Sequence, residues 1–235
     1  MGTRQLDGKW ALVTGSSRGI GQYIALGLAN EGCNIIVHGR NTENCTETME
    51  LLKDYEVECF TAPGELLNQA DVQGIIDAVF NKIQGIDILY NNAAVMSRPG
   101  KIWEIAADEW QRVLQINLFS VIMLCNAFVP GMKKRGYGRI INLSSGIKEQ
   151  PDLAPYSVSK AAIDKYTQDL AFEFKNDNVL INYLDPGWVK TDLGGPDAWF
   201  EMDTLLPGVL IPALLEDNGP TGRYYAAQDY KVISY

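Results

Sequence analysis

Short strand-like runs alternate with helix-length segments along the chain, and this alternation narrows the possible folds more than any other feature of the sequence. The runs WALVTG (10–15), NIIVHG (34–39), VECFTA (57–62), IDILYNN (86–92), RIINLSS (139–145) and VLINYLD (179–185) are rich in β-branched or aromatic residues and bounded by turn signals. Between them the pattern predicts helices over 19–31, 42–55, 69–84, 108–134 and 156–176, with Asn41 and Asp108 as candidate start signals. Strand and helix taking turns predict an α/β fold, a doubly wound parallel sheet with helices on both faces, because right-handed crossovers return each helix to the sheet. Ligands of such sheets bind beyond the carboxyl ends of the strands, so functional residues are expected just after each run.

Composition limits what the fold can serve. With 235 residues, 46% of them hydrophobic, the chain suffices for one domain spanning 1–235, and no linker, low-complexity tract or repeat divides it. Its 29 acidic against 20 basic residues give a formal charge of −9, which argues against nucleic acid or an anionic membrane as partner and for a small solute. No apolar run approaches the ~20 residues of a membrane span, and MGTRQLDGKWALVTG lacks the order of a signal peptide, so a cytoplasmic protein is expected. Cys33, Cys45, Cys59 and Cys125 form no CxxC, and with His38 as the only histidine no metal site is expected.

Two stretches carry chemistry. In TGSSRGIG, Gly15, Gly19 and Gly21 follow a strand and open a helix, where backbone N–H groups at the positive helix end can meet a pyrophosphate. The spacing is G-x-x-x-G-x-G, not the strict G-x-G-x-x-G fingerprint, and by itself it also suits a plain tight connection. In PYSVSKAAIDKY, Tyr156 and Lys160 stand four apart and share one helix face. They read either as an ordinary exposed pair or as a phenol whose proton a neighbouring cation makes transferable.

Taken together, TGSSRGIG (14–21), NNAA (91–94), INL around Asn117, NLSS (142–145), YSVSK (156–160) and PGWVKT (186–191) resemble the short-chain dehydrogenase/reductase family of classical type, in order and over roughly residues 8–192. The resemblance implies a single-domain Rossmann-type fold, a nicotinamide dinucleotide and a Ser-Tyr-Lys centre assisted by an asparagine. It implies Tyr156 as proton donor and Lys160 as the cation that lowers the phenol pKa and holds the nicotinamide ribose. Ser145 is implied as hydrogen-bond donor to the carbonyl oxygen, chosen over Ser144 as the second of the pair, although its interval to Tyr156 is shorter than usual. Asn117, in the helical stretch VLQINLFSVIML, reads either as a structural polar contact or, by resemblance, as a kink whose carbonyl orders a water beside Lys160. The implied cofactor residues begin with Gly15, Ser17, Arg18, Gly19, Ile20 and Gly21. They continue through Arg40, Glu65, Leu66, Asn91 and Ala93 to Tyr156, Lys160, Pro186, Gly187, Val189 and Thr191. Ala94 replaces the usual glycine of NNAG.

The second strand ends in HGRN without a carboxylate, so Arg40 and Arg18 can converge on a 2′-phosphate, which favours NADP(H) over NAD(H). Residues 192–215 are expected to form a substrate flap, with Trp188, Trp199 and Phe200 lining an apolar pocket or packing on the core. The ending GPTGRYYAAQDYKVISY lacks the Gly-Gly strand common in acyl-carrier-protein reductases of the family. The expectation is therefore a carbonyl-reductase-like oxidoreductase acting on a ketone, aldehyde or alcohol. A 3-oxoacyl thioester substrate and a catalytically silent dinucleotide-binding sensor or scaffold are the alternatives. The helices at 108–134 and 156–176 resemble those that pair in the family, predicting a homodimer or homotetramer.

Overall fold

The computed structural model of the protein describes residues 4–230. Seven strands, β1 (Trp10–Val13), β2 (Asn34–Val37), β3 (Cys59–Thr61), β4 (Ile88–Asn91), β5 (Gly138–Leu143), β6 (Val179–Asp185) and β7 (Tyr224–Ala226), form one sheet. Their spatial order is β3-β2-β1-β4-β5-β6-β7, and every paired neighbour is parallel. The chain winds outward from β1 to β3 and then crosses to the other side at β4. The carboxyl ends of β1 and β4 therefore flank a crevice, the usual ligand position in such a sheet.

The strands read as continuous apolar runs because both faces of the sheet are covered. Ala11 and Val13 pack in one core cluster and Leu12 in the other; the same alternation divides Ile35 and Val37 from Ile36, and Ile88 and Tyr90 from Leu89. One cover contains α1 (Gly19–Asn30), whose Ile24 and Leu28 are fully buried. The other contains α3 (Gln69–Phe80), following α2 (Thr42–Leu51) in the chain, together with the long helix built from α4 (Ala107–Leu114) and α5 (Ser120–Arg135). The remaining helix, α6 (Ala154–Glu173), connects β5 to β6.

Several boundaries differ from the pattern-based expectation. Asn41 does cap α2, its Oδ1 accepting from Asn44 N at 2.9 Å, but the helix stops at Leu51 and a 3₁₀ turn replaces its expected last residues. Asp108 is not a cap; it lies in the first turn of α4, where its Oδ1 accepts from Glu109 N. The helix expected over 108–134 is interrupted by a π-helical turn, Gln115–Phe119, centred on Asn117. By length and composition alone, Ala107–Arg135 could cross a membrane; half of its most apolar window is buried in the protein.

The three-residue β7 was not anticipated, since so short a run carries no readable period. It pairs Tyr224 with Tyr183 and Ala226 with Asp185, and residues 231–235 of the same stretch lie outside the described residues. The segment 192–215 divides in two. Leu205, Val209, Leu210 and Ala213 are buried in the core, with Tyr90 Oη donating to Val209 O at 2.8 Å.

Candidate active site

The glycine turn follows β1 directly, and its geometry demands glycine at two places. Gly15 has φ 66°, and a Cβ there would lie 3.0 Å from Ala93 Cα. At Gly21 a Cβ would lie 2.3 Å from Gly15 O, so any side chain would force the turn away from α1. Thr14 fastens this turn to the exit of β4: its hydroxyl donates to Tyr90 O and accepts from Asn92 N at 2.9 Å and Ala93 N at 3.1 Å. Asn92 answers with its own amide, donating to Thr14 O at 2.8 Å.

His38 completes the cradle. Its Nδ1 accepts from Gly15 N at 2.9 Å and its Nε2 lies 3.1 Å from Gly64 O, so the single histidine bridges the glycine turn to the exit of β3. Burial pulls its pKa down to about 4, leaving a neutral imidazole whose proton belongs on Nε2. Sequence reasoning weighed His38 only as a zinc ligand. Its place between the apolar run NIIV and the glycine that follows was the available signal.

A groove of about 1410 Å³ runs from this cradle to Tyr156. Gly15, Ser17, Arg18, Gly19, Ile20 and Gly21 line it at one end, with Arg40 beside them. Both arginines are exposed, and Arg18 Nη1 meets Asp192 Oδ2 at 2.9 Å. Glu65 and Leu66 form part of the wall, although a Glu65 carboxylate oxygen accepts from Leu67 N within its own turn. Ala93, Pro186 and Thr191 line the middle.

Three expected cofactor residues do not line the groove. The Asn91 side chain is buried beneath it and donates to Asn142 Oδ1 at 2.8 Å. Val189 is buried and bridges Phe200, while Gly187, at φ 81°, packs against the Phe200 ring. Nor do Trp188, Trp199 and Phe200 line it: the two tryptophans meet edge to face at 5.4 Å on the outer surface, Trp199 being 77% exposed.

At the far end, the first turns of α6 bring Tyr156 and Lys160 together, both buried. Lys160 Nζ lies 5.7 Å from the Tyr156 ring centre and donates to Leu143 O at 2.7 Å. The Ser145 hydroxyl lies beside the Tyr156 phenol and accepts from Ile147 N at 3.3 Å, but of the two serines it is Ser144 that lines the groove. Ser144 lies toward Asp164, whose carboxyl burial raises above its ordinary pKa while Ser144 and Lys160 pull it back. The approach makes no hydrogen bond, and Ser144 Oγ and Asp164 Oδ1 are both buried without one.

The charge balance corrects one expectation. Burial holds the Tyr156 phenol above its ordinary pKa, with Ser145 pulling it down and Asp185 pushing it up. Burial also takes Lys160 down to about 8, opposed by the charges of Asp164 and Asp185. In the free protein, then, burial is the largest influence on the phenol, and Lys160 is not among the groups that move it. Asn117 uses its side chain structurally: Nδ2 donates to Val95 O at 3.0 Å and Ser159 Oγ at 3.1 Å, and Oδ1 accepts from Val95 N at 2.9 Å. It fastens the loop after β4 to α6 one residue before Lys160.

A groove at the switch point of a parallel sheet, ending at a buried tyrosine–lysine pair, is the arrangement of a Rossmann-type oxidoreductase. The sequence profile described as short chain dehydrogenase matches residues 9–198, and the chain belongs to that family of oxidoreductases acting on CH–OH and carbonyl groups. It is 34% identical over 192 residues to the 3-oxoacyl-[acyl-carrier-protein] reductase of Aquifex aeolicus, covering 80% of this chain and 77% of that one. It is 35% identical over 188 residues to dehydrogenase/reductase SDR family member 4 of Mus musculus, covering 79% and 67%. Among solved structures, a gluconate 5-dehydrogenase from Burkholderia cenocepacia, in complex with NADP and tartrate, superposes with a TM-score of 0.85 at 27% identity over 95% of each chain.

Proposed function

We propose that the protein is an NADP(H)-dependent oxidoreductase interconverting a ketone or aldehyde and an alcohol, with Tyr156 as proton donor and acceptor. The observation that carries this reading is the pairing of the Tyr156 phenol with the Lys160 ammonium at one end of the groove, with Ser145 beside the phenol. When bound, the nicotinamide supplies or receives the hydride. During reduction the substrate oxygen gains charge, and Ser145 and Tyr156 are the donors that stabilise it before Tyr156 delivers its proton. Lys160 would steady the resulting phenolate and hold the nicotinamide ribose, and the backbone carbonyl at Asn117 would order a water beside the lysine.

The glycine turn suits a dinucleotide, because Gly15 and Gly21 keep it tight against α1, whose first turn offers free N–H groups to a pyrophosphate. Ser17, Ile20, Glu65, Leu66, Ala93, Pro186 and Thr191 would hold the remainder, with Asn91, Gly187 and Val189 contributing through backbone or packing. Arg18 and Arg40, with no acid at the end of β2, favour the 2′-phosphate, and the gluconate 5-dehydrogenase bound to NADP supports the same choice. Residues 192–204 would serve as the moving part of the flap, since 205–213 are held in the core.

Consumption of NADPH across a panel of ketones, aldehydes and acyl thioesters tests the reading. Turnover of any carbonyl with NADPH over NADH supports it, and tight NADPH binding with no turnover assigns the silent sensor instead. The 34% identical 3-oxoacyl reductase keeps the thioester as a second substrate reading. We propose in addition a cytoplasmic homodimer or homotetramer built on the helices around Phe119, Val158 and Phe172, which are 47%, 46% and 69% exposed in the single chain. A monomeric mass by light scattering at micromolar concentration would refute that assembly.

A further inference from the structure

The turn that leaves β5 meets a different polar group at each of four successive residues. Leu143 O accepts from Lys160 Nζ, and the buried Ser144 hydroxyl points to Asp164. The Ser145 hydroxyl meets Tyr156, and Gly146 passes so close to Asp185 that a Cβ there would lie 2.7 Å from Oδ2. Two of these groups, Asp164 and Asp185, have no part in the chemistry proposed above.

The two carboxylates come from separate elements, and their charges act on Lys160 without a direct ion pair. Asp164 lies one helical turn beyond Lys160 on α6 and so shares its face. Asp185 is the last residue of β6; its Oδ1 accepts from Gly187 N at 2.8 Å and its Oδ2 from Tyr224 Oη at 3.0 Å. These bonds tie Asp185 to the Pro186–Gly187 turn and β7, while its Oδ2 sits close against Gly146 of the turn carrying Ser145. A buried amine tends to shed its proton, and only nearby negative charge opposes that tendency.

We propose that Asp164 and Asp185 are positioning residues: a carboxylate platform that holds Lys160 as an ammonium and seats the 143–146 turn over it. The proposal rests on the Tyr156–Lys160 reading above. The groups that bear on Lys160 come from each surrounding element. Asp164 and Tyr156 lie on α6, Asp185 on β6, and Ser144 and Ser145 on the turn. Tyr224 on β7 is held protonated by burial and by Asp185, Asp164 and Asp229. Because both carboxylates push the lysine pKa up against burial, removing either charge should let it fall further.

The test reads Lys160 directly in the cofactor-free protein, by NMR of ¹³C,¹⁵N-lysine, with the resonance assigned through its loss in Lys160→Ala. The parent midpoint is expected near the about 8 set by burial. Asp185→Asn, which keeps the acceptor to Gly187 N, and Asp164→Asn should each shift it downward, and the double variant should shift it further. Tyr224→Phe removes a hydrogen bond but no charge and should not lower it. An unmoved midpoint in both asparagine variants overturns the proposal, as does an equal fall in Tyr224→Phe. If Asp185→Asn does not fold, the half-buried Asp164→Asn carries the decision. The readout needs no turnover, so an active Tyr156→Phe would reject the catalytic reading while leaving this measurement interpretable.

Discussion

At the glycine-turn end of the groove, Thr14, Ser16, His38, Thr48 and Asn92 commit their buried polar atoms to one another and to backbone, joining β1, β2, β4 and α2. At the Tyr156 end the accounting is left open: Ser144 Oγ and Asp164 Oδ1 are buried without partners, and Lys160 has lost much of its basicity. The first region keeps one shape, as suits the proposed binding of a pyrophosphate whose charge does not change. The second keeps unmet hydrogen bonds, a pattern that fits the proposed reaction, in which charge would appear and disappear there.

The contrast is most easily broken at the phenol. Tyr156→Phe should lower turnover by ~10²–10⁴-fold, typical of losing a general acid, while cofactor affinity in a direct binding titration changes little. Lys160→Ala should impair both. Comparable loss of cofactor affinity in Tyr156→Phe would mean that the two ends of the groove are not separate in function.

At the other end His38 provides the matching test, read as stability. Its pKa is 6.5 when free and about 4 when folded, so the unfolded chain binds the extra proton between those values. Its contribution is therefore present above pH 6.5 and is lost as pH falls through about 4, on the order of 3 kcal/mol in all. Thermal melts from pH 7 to 4 should show a steeper acid decline in the parent than in His38→Gln, where this source is absent. Parallel declines would remove His38 from the account of the cradle.

The smallest effect concerns cofactor choice, because Arg40 is exposed and water screens its charge. Arg40→Asp should shift the ratio of NADPH to NADH affinity toward NADH by roughly tenfold, the scale of one charge-assisted hydrogen bond. Equal affinity for both in the parent would place the specificity elsewhere. Arg18 is the next candidate, since its guanidinium already pairs with Asp192 at the start of the flap.

Much of this was legible in the chain itself. Six short runs bounded by turns and separated by helix-length segments predicted a parallel sheet, because right-handed crossovers return each helix to the sheet. Gly15, Gly21, Tyr156 and Lys160 were legible through local spacing, which a turn or a helix converts directly into geometry. What escaped depended on residues far apart in the sequence. His38 meets Gly64, Asn91 turns away from the groove toward Asn142, Asp185 reaches Gly146, and three residues at 224–226 become a strand only because β6 offers an edge. Local sequence sets periodicity and backbone freedom. Burial and long-range approach decide which hydroxyl meets the phenol, which carboxylate faces the lysine and how far each pKa moves, because desolvation and charge depend on what the whole fold packs around them.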